Sequence, residues 1–326
     1  MGIYEKKIYE RELLPGDKID SITDIQKKYK VARETAKRCL SILAEKGLIV
    51  KRVGTGSYVA ETGPKKKIWG FVVPYYSVQF DECIRQFKYL AAMRDREFDH
   101  FCSYDQWDEE LRIVSRMVAD RYEAIIVVPT KEEKLSLNFY NSLTLNDSKV
   151  VFMDSVLVNT NYPYAIQNYG IGMVRAMEYL SKTKKGRLGY IVNEVWHDKN
   201  PIEDMKEGIF LDYHKNISDK GGEIVSRIEK EVISKLVKEG VVGFICCDDY
   251  RALKLIAVLK RLKIKTPDQI GVVSFGNTEI AKNFTPSITS VDLHYDDMIK
   301  ASIEIIENSE SLQQRVIEVE LIERNT

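Results

Sequence analysis

The sequence predicts an α/β protein in which a two-lobed, doubly wound body follows a small winged helix-turn-helix domain. Three observations predict it. From Ile68 onward, apolar runs of four to six residues alternate with amphipathic helical stretches, the pattern of buried parallel strands and their crossover helices. There are more of these units than one ordinary lobe holds, so two lobes are expected. Before Ile68, two helical runs joined by a short turn lead into a glycine-centred hairpin, and a Gly-Pro-Lys-Lys-Lys stretch separates the two regions. The expected division is 1–62 for the small domain, 63–67 for the linker and 68–326 for the body.

In the small domain, a first helix is expected over 2–13, with Ile3, Ile8 and Tyr9 as apolar contacts, then a turn at Leu14-Pro15-Gly16-Asp17. Ser21 can cap a helix reaching about Tyr29, because its hydroxyl can accept from an unpaired N–H of the first turn. A second helix over 32–45 stops at Gly47. The short join at Lys30-Val31 has the length of a helix-turn-helix connection, in which the second helix enters the DNA major groove. Ala36, Leu40 and Leu43 recur at helical spacing and face the core. Arg33, Glu34, Lys37, Arg38 and Ser41 fall on the other side, with Thr35 near the helix start. These are cations and small hydrogen-bonding groups, which suit phosphates and base edges. Two strands, 48–52 and 57–60, flank Gly54, Thr55 and Gly56, where glycine permits positive φ and close approach to a phosphate. The candidate DNA contacts are Ser21, these six residues of the second helix and the three of the hairpin turn. A solvated basic face on a small helical domain is the plainer reading. The succession of helix, turn, helix and glycine hairpin favours DNA.

In the body, strands are expected over 68–74, 100–104, 124–128, 149–153, 165–166, 187–192, 223–227, 243–246, 270–275, 289–293 and 315–323. Helices are expected over 79–96, 108–120, 131–144, 170–182, 201–215, 229–239, 249–262 and 295–308. Ligands of such folds sit beyond the carboxyl ends of the strands, here in the cleft between the lobes.

Composition bounds the function. The 326 residues carry no net charge, but residues 1–67 hold 16 Lys and Arg against 9 Asp and Glu, and the remainder 33 against 40. A basic head on an acidic body suits DNA binding by the head alone, with strong salt dependence. No apolar run is long enough to span a membrane and the start is polar, so a cytoplasmic chain is expected. Five cysteines and four histidines show no metal-ligand spacing, and no disulfide is expected. No phosphate-binding Gly-x-Gly-x-x-Gly, P-loop or nucleophile elbow is present, so neither an enzyme nor a bound cofactor is expected.

Residues 1–60 resemble the DNA-binding domain of GntR-type regulators. The matching pieces are Leu14-Pro15-Gly16-Asp17-Lys18-Ile19, Arg33-Glu34-Thr35-Ala36-Lys37-Arg38, Lys46-Gly47-Leu48-Ile49 and Gly54-Thr55-Gly56-Ser57-Tyr58-Val59. Ala32 stands where that family usually has Ser, and Lys37 where Arg is common. The body resembles the effector domain of lactose/galactose-type repressors, with a periplasmic-binding-protein-like fold. The resemblance rests on Val150-Val151-Phe152-Met153-Asp154, Asn168-Tyr169-Gly170-Ile171-Gly172, Lys185-Gly186-Arg187-Leu188-Gly189-Tyr190-Ile191, 244–252, 267–275 and 286–291. The combination is arabinose-repressor-like. It implies a dimeric repressor that binds a pseudo-palindromic DNA operator and is released by a monosaccharide. A ligand-dependent activator, or a regulator answering to a non-sugar or phosphorylated small molecule, is the alternative.

A sugar site needs carboxylates or amides for vicinal hydroxyls and aromatic faces for the ring. Residues just past strand ends supply the candidates Tyr75, Tyr76, Phe80, Asp154, Asn193, Trp196, Asp248 and Asn277. Asp105, Trp107, Thr130, Gln167, Asn168, Glu194 and Asp249 lie in comparable positions. The resemblance implies ligand contact for Asp154, while capping of a following helix is the ordinary alternative for Asp154 and Asp248. Met205 stands where the family often has a sugar-binding Arg, Asp248 replaces its usual Asn, and Phe275-Gly276-Asn277 lacks one of its carboxylates. A less charged site is therefore expected, favouring a pentose or deoxyhexose.

Overall fold

Nine buried apolar side chains, among them Tyr4, Ile25, Ala36, Leu40, Leu43 and Val59, gather the first sixty residues into one small core. The computed structural model describes residues 2–9, 12–45, 47–52, 54–60, 66–130, 133–145, 147–157, 159–183, 185–193, 201–217, 221–308 and 313–326. Helices α1 (Gly2–Tyr9), α2 (Ile22–Tyr29) and α3 (Arg33–Glu45) are followed by an antiparallel hairpin of β1 (Ile49–Arg52) and β2 (Gly56–Val59). The first helix is shorter than expected, and Tyr4 rather than Ile3 is its buried residue. Lys30 takes a left-handed φ of 50° to end α2, which lets the chain turn directly into α3. Ala36, Leu40 and Leu43 face the core as their spacing requires.

The body begins with β3 (Lys66–Val73), so two of the lysines expected in the linker open a strand instead. Lys67 pairs with Asp95 at 2.7 Å and Lys66 with Asp120 at 3.8 Å. The first lobe continues through α4 (Val78–Ala92), β4 (Glu97–Cys102), α5 (Trp107–Ala119), β5 (Tyr122–Val127), α6 (Glu133–Ser142), β6 (Lys149–Met153) and β7 (Tyr164–Gln167). The second lobe comprises α7 (Tyr169–Thr183), β8 (Arg187–Ile191), α8 (Pro201–Ile217), β9 (Glu223–Val225), α9 (Lys230–Lys238), β10 (Val241–Cys246), α10 (Asp249–Arg261), β11 (Gly271–Phe275), α11 (Glu279–Asn283) and β12 (Thr289–Asp292). Then come α12 (Tyr295–Glu307), β13 (Gln314–Ile317) and β14 (Glu320–Ile322).

The strand orders are β13-β7-β6-β5-β3-β4 and β14-β12-β11-β10-β8-β9. Every pairing in the body is parallel except β12 with β14. The single last strand expected from the sequence is thus two. β13 joins the first sheet beside β7, and β14 joins the second beside β12. Helix α12 follows a strand of the second sheet, yet its Met298, Ile299 and Ile303 pack in the core of the first. The chain therefore passes between lobes three times, after Gln167, after Asp292 and between Ile317 and Glu320. α11, five residues long, was too short to announce itself by periodicity. Among the described residues, no helix is long and apolar enough to cross a membrane.

Candidate functional site

On the head, the exposed face of α3 presents Arg33, Glu34, Thr35, Lys37 and Arg38. Among the described residues, no carboxylate lies within ion-pair distance of Arg33, Lys37 or Arg38. Ser41 is half-buried and accepts from Lys51 Nζ at 3.3 Å, tying α3 to the hairpin. Gly54, Thr55 and Gly56 are exposed at the hairpin tip, with φ of 77° and 115° at the glycines. The Arg52 guanidinium lies 4.9 Å from the Tyr58 ring centroid. Ser21 is engaged differently from the rest. Its hydroxyl accepts from the Asp24 backbone N–H at 3.2 Å, and Asp24 in turn accepts from the Ser21 N–H at 3.1 Å. Both groups are committed to this capping box, so Ser21 shapes the helix start rather than offering a free hydroxyl.

In the body, residues just past strands of the first sheet come into contact with the second lobe. Asp154 stands just past β6, with a left-handed φ of 65°. It caps no helix; its Oδ1 accepts from the Tyr169 hydroxyl at 2.7 Å, and burial with the Asp154 charge pushes the nearby Tyr295 hydroxyl upward. Burial pushes the Asp154 carboxyl up to about 6, against the opposing pull of Tyr169 and of the Lys206 charge. Tyr75, past β3, has its hydroxyl pushed upward by burial, then by the charges of Asp154, Glu203, Asp105 and Cys247. Since Glu203 and Cys247 belong to the other lobe, Tyr75 stands between the two walls.

The opposing wall is built from the first turn of α8. Glu203 accepts from the Tyr190 hydroxyl at 2.6 Å and pairs with Lys206 Nζ at 2.5 Å. Lys206 is 2% exposed. Its Nζ lies 4.8 Å from the Phe275 ring centroid, 5.6 Å from that of Tyr169 and 5.9 Å from that of Tyr190. An ammonium so far out of water is held by one carboxylate and three ring faces.

The other candidates fall in several places. Phe80 is buried core, with its ring 5.5 Å from that of Tyr75, so it supports the cleft from behind. Tyr76 is 50% exposed and packs edge-on against His100 and Tyr104, away from Asp154 and Lys206. Asp248 is the N-cap of α10, accepting from the Arg251 backbone N–H at 2.8 Å and its guanidinium at 2.7 Å. Asp249 is buried and accepts from Ser274, Ser290 and both donors of Thr278, locking the ends of β11 and β12. Asn277, at φ 49°, donates to Asp292 at 2.6 Å and accepts from Arg324. Asn193 is half-buried beyond β8; Trp196 and Glu194 lie outside the described residues. Thr130 is buried, its N–H donating to Glu110 at 2.7 Å, and half-buried Trp107 starts α5. Gln167 is 2% exposed at a lobe crossing, and neither end of its amide finds a hydrogen-bond partner among the described residues.

Sequence reasoning missed Tyr169, Tyr190, Glu203, Lys206, Phe275 and Tyr295. A Glu and a Lys three residues apart at the start of α8 were a visible signal, since that spacing puts them on one helix face. The expected departure at Met205 also changes meaning. Met205 is 41% exposed, whereas its neighbour Lys206 is turned inward, so the wall keeps a cation. The expectation of a less charged site is corrected accordingly.

Comparisons with known proteins agree with this architecture. A model of the periplasmic binding protein-like domain matches residues 180–326. The chain is 21% identical over 313 residues to the arabinose metabolism transcriptional repressor of Halalkalibacterium halodurans, spanning 88% of this chain and 82% of that one. It is 22% identical over 180 residues to the transcriptional regulator GalR of Streptococcus thermophilus, spanning 52% and 54% of the two chains. A periplasmic binding protein/LacI transcriptional regulator from Alkaliphilus metalliredigens, complexed with D-xylulofuranose, superposes with a TM-score of 0.62 at 18% identity, across 80% of this chain and 99% of that one. The chain is similar to regulators of the LacI/GalR type. Its body has the two-lobed periplasmic-binding-protein-like α/β fold expected from the sequence, behind a small N-terminal domain. Relatives that are regulators rather than enzymes agree with the absence of catalytic motifs. The GntR label expected for the head is not supported; these relatives point to the LacI/GalR type, and the winged helix-turn-helix reading rests on the head's geometry alone.

Proposed function

We propose that this chain is a sugar-responsive transcription repressor, binding a pseudo-palindromic operator as a dimer and released by a monosaccharide held between the lobes. The observation that carries it is the pairing of two features in one chain. One is a head whose α3 offers Arg33, Lys37 and Arg38, none of them in an ion pair among the described residues, beside a glycine-tipped hairpin, the form of a winged helix-turn-helix. The other is a cleft in which Asp154 and Tyr75 on one lobe face Glu203 and Lys206 on the other. Carboxylate, ammonium and aromatic faces in one dry site are the groups that bind vicinal hydroxyls and a sugar ring. The working division is a head over 1–62, a linker over 63–65 and a ligand-binding, dimer-forming body that begins with β3 at Lys66, in the cytoplasm.

A pentose is the first ligand to try. The relatives include arabinose repressors and a regulator that holds D-xylulofuranose. Ligand closes the cleft, changes the relation of the two bodies in the dimer and misplaces the heads. A coupling of ~1–3 kcal/mol would weaken operator binding roughly 5–150-fold, and operator would weaken sugar binding by the same factor. The test is fluorescence anisotropy with DNA from upstream of the chain's own gene and of neighbouring sugar-utilisation genes, titrated with L-arabinose, D-xylulose, D-ribose and D-galactose. Release by one sugar supports the reading. Binding of DNA strengthened by sugar would make the protein a ligand-dependent activator, and DNA binding indifferent to every sugar would refute the effector half.

A further inference from the structure

We propose that Lys206 is the specificity-determining residue of the cleft: with Glu203 beside it and Asp154 opposite, it takes an uncharged polyhydroxyl ligand and turns away a phosphorylated one. The proposal rests on the sugar-binding reading above and names the ligand class of that same site. Three observations carry it.

The first is placement. Lys206 sits one turn into α8, buried, with its charge felt by Asp154 on the other lobe and by Cys247 at the end of β10. It is a cation of the cleft wall and not of the surface. The second is donor geometry. An ammonium has three N–H donors and no acceptor. Glu203 engages it at 2.5 Å, and the rings of Phe275, Tyr169 and Tyr190 surround it without offering an oxygen lone pair at their faces. A donor is therefore left for a ligand oxygen. Asp154 has Oδ1 taken by Tyr169 and Oδ2 left as an acceptor among the described residues. A vicinal diol carries the complement of both groups: one hydroxyl can donate to a carboxylate while its neighbour accepts from an ammonium.

The third is charge. Glu203 and ionised Asp154 bring two negative charges against the one positive charge of Lys206. Among the described residues, the other cation acting on this wall, Arg251, is already paired with Asp248 at 2.7 Å. A phosphate would add further negative charge to a site that already carries an excess of it, in surroundings where charge is poorly screened. A neutral polyol adds none and uses both free hydrogen-bonding groups.

The test uses the full-length protein and isothermal titration with L-arabinose, D-xylulose, D-ribose and D-galactose, against D-xylulose 5-phosphate, D-ribose 5-phosphate and D-galactose 6-phosphate. The wild type is expected to bind at least one uncharged sugar, and every phosphate of the panel at least 100-fold more weakly. Lys206→Met is expected to lose that sugar 10- to 100-fold while still binding DNA with wild-type affinity in the absence of sugar. Glu203→Gln, which removes one negative charge and keeps the shape, is expected to narrow the discrimination against phosphate by tenfold or more. It also keeps the proposal testable should Lys206→Met not fold. A wild type that prefers the phosphate, a Lys206→Met variant with unchanged sugar affinity, or a Glu203→Gln variant with an unchanged sugar-to-phosphate ratio would each overturn the proposal and leave the sugar-repressor reading standing. A wild type that binds none of the seven compounds would overturn that reading itself, and the proposal with it.

Discussion

Replacing Asp154 with Asn separates the energetic cost of the cleft from its use. Burial holds the Asp154 carboxyl at about 6, against an ordinary value of 3.8, even with Tyr169 and Lys206 favouring the ionised form. That gap corresponds to about 3 kcal/mol of destabilisation of the folded state once the group is ionised. The sign follows from where the proton sits. Below about pH 4 the group is protonated in both folded and unfolded chains, and it costs nothing. Between about 4 and about 6 only the folded chain keeps the proton, so stability falls as pH rises; above about 6 the full cost is present. In Asp154→Asn the amide oxygen still accepts from Tyr169, while the new N–H2 group lacks an assured partner, worth about 1 kcal/mol. The ligand-free variant is therefore expected to be more stable than wild type by about 2 kcal/mol at pH 7.5, and no more stable at pH 4. Sugar binding should fall at least tenfold in the same variant, because an acceptor for a hydroxyl has gone. Urea unfolding followed by tryptophan fluorescence at the two pH values, with isothermal titration at pH 7.5, measures both. An Asn variant whose stability difference from wild type is the same at pH 4 and pH 7.5 would falsify the assignment of the buried charge to Asp154.

Three further outcomes follow from the same structure. Ala at Arg33, Lys37 and Arg38 together should weaken DNA binding across sequences and, with both heads of a dimer changed, reduce the slope of log affinity against log salt by up to about 5, measured by anisotropy between 50 and 200 mM salt. Ser21→Ala removes the cap of α2 and should destabilise the head by about 1 kcal/mol, seen as a lower melting temperature with an unchanged salt slope, whereas a direct phosphate contact would change that slope. Gly189→Ala places a methyl 2.6 Å from Phe244 Cδ1 inside the second sheet, and should cost about 1–3 kcal/mol in urea unfolding without altering DNA affinity at 25 °C.

Much of the architecture was legible because it is local. The alternation of apolar runs with amphipathic stretches placed most strands and helices of the body close to their observed positions, since the periods of strand and helix are properties of neighbouring residues. Ala36, Leu40 and Leu43 could be assigned to the core of the head, and Ser21 to a helix start, for the same reason. Charge asymmetry between head and body needs no coordinates at all.

What the tertiary structure decided is which local features meet. A single apolar run near the end of the chain became β13 in one sheet and β14 in the other, because strand identity depends on the neighbour that supplies the hydrogen bonds. Asp154 and Asp248 are both aspartates past strand ends. One faces a buried tyrosine in the cleft and the other caps a helix, according to whether a helix follows directly. Tyr76 follows Tyr75 in the chain but points out of the cleft, as successive side chains past a strand do. Lys206 stands one residue beyond Met205, the position at which the sequence resemblance leads one to expect an arginine. A helix turns about 100° per residue, so one step along α8 separates an exposed methionine from a buried ammonium, and only the packing of α8 against Tyr190 and Phe275 says which of the two turns inward.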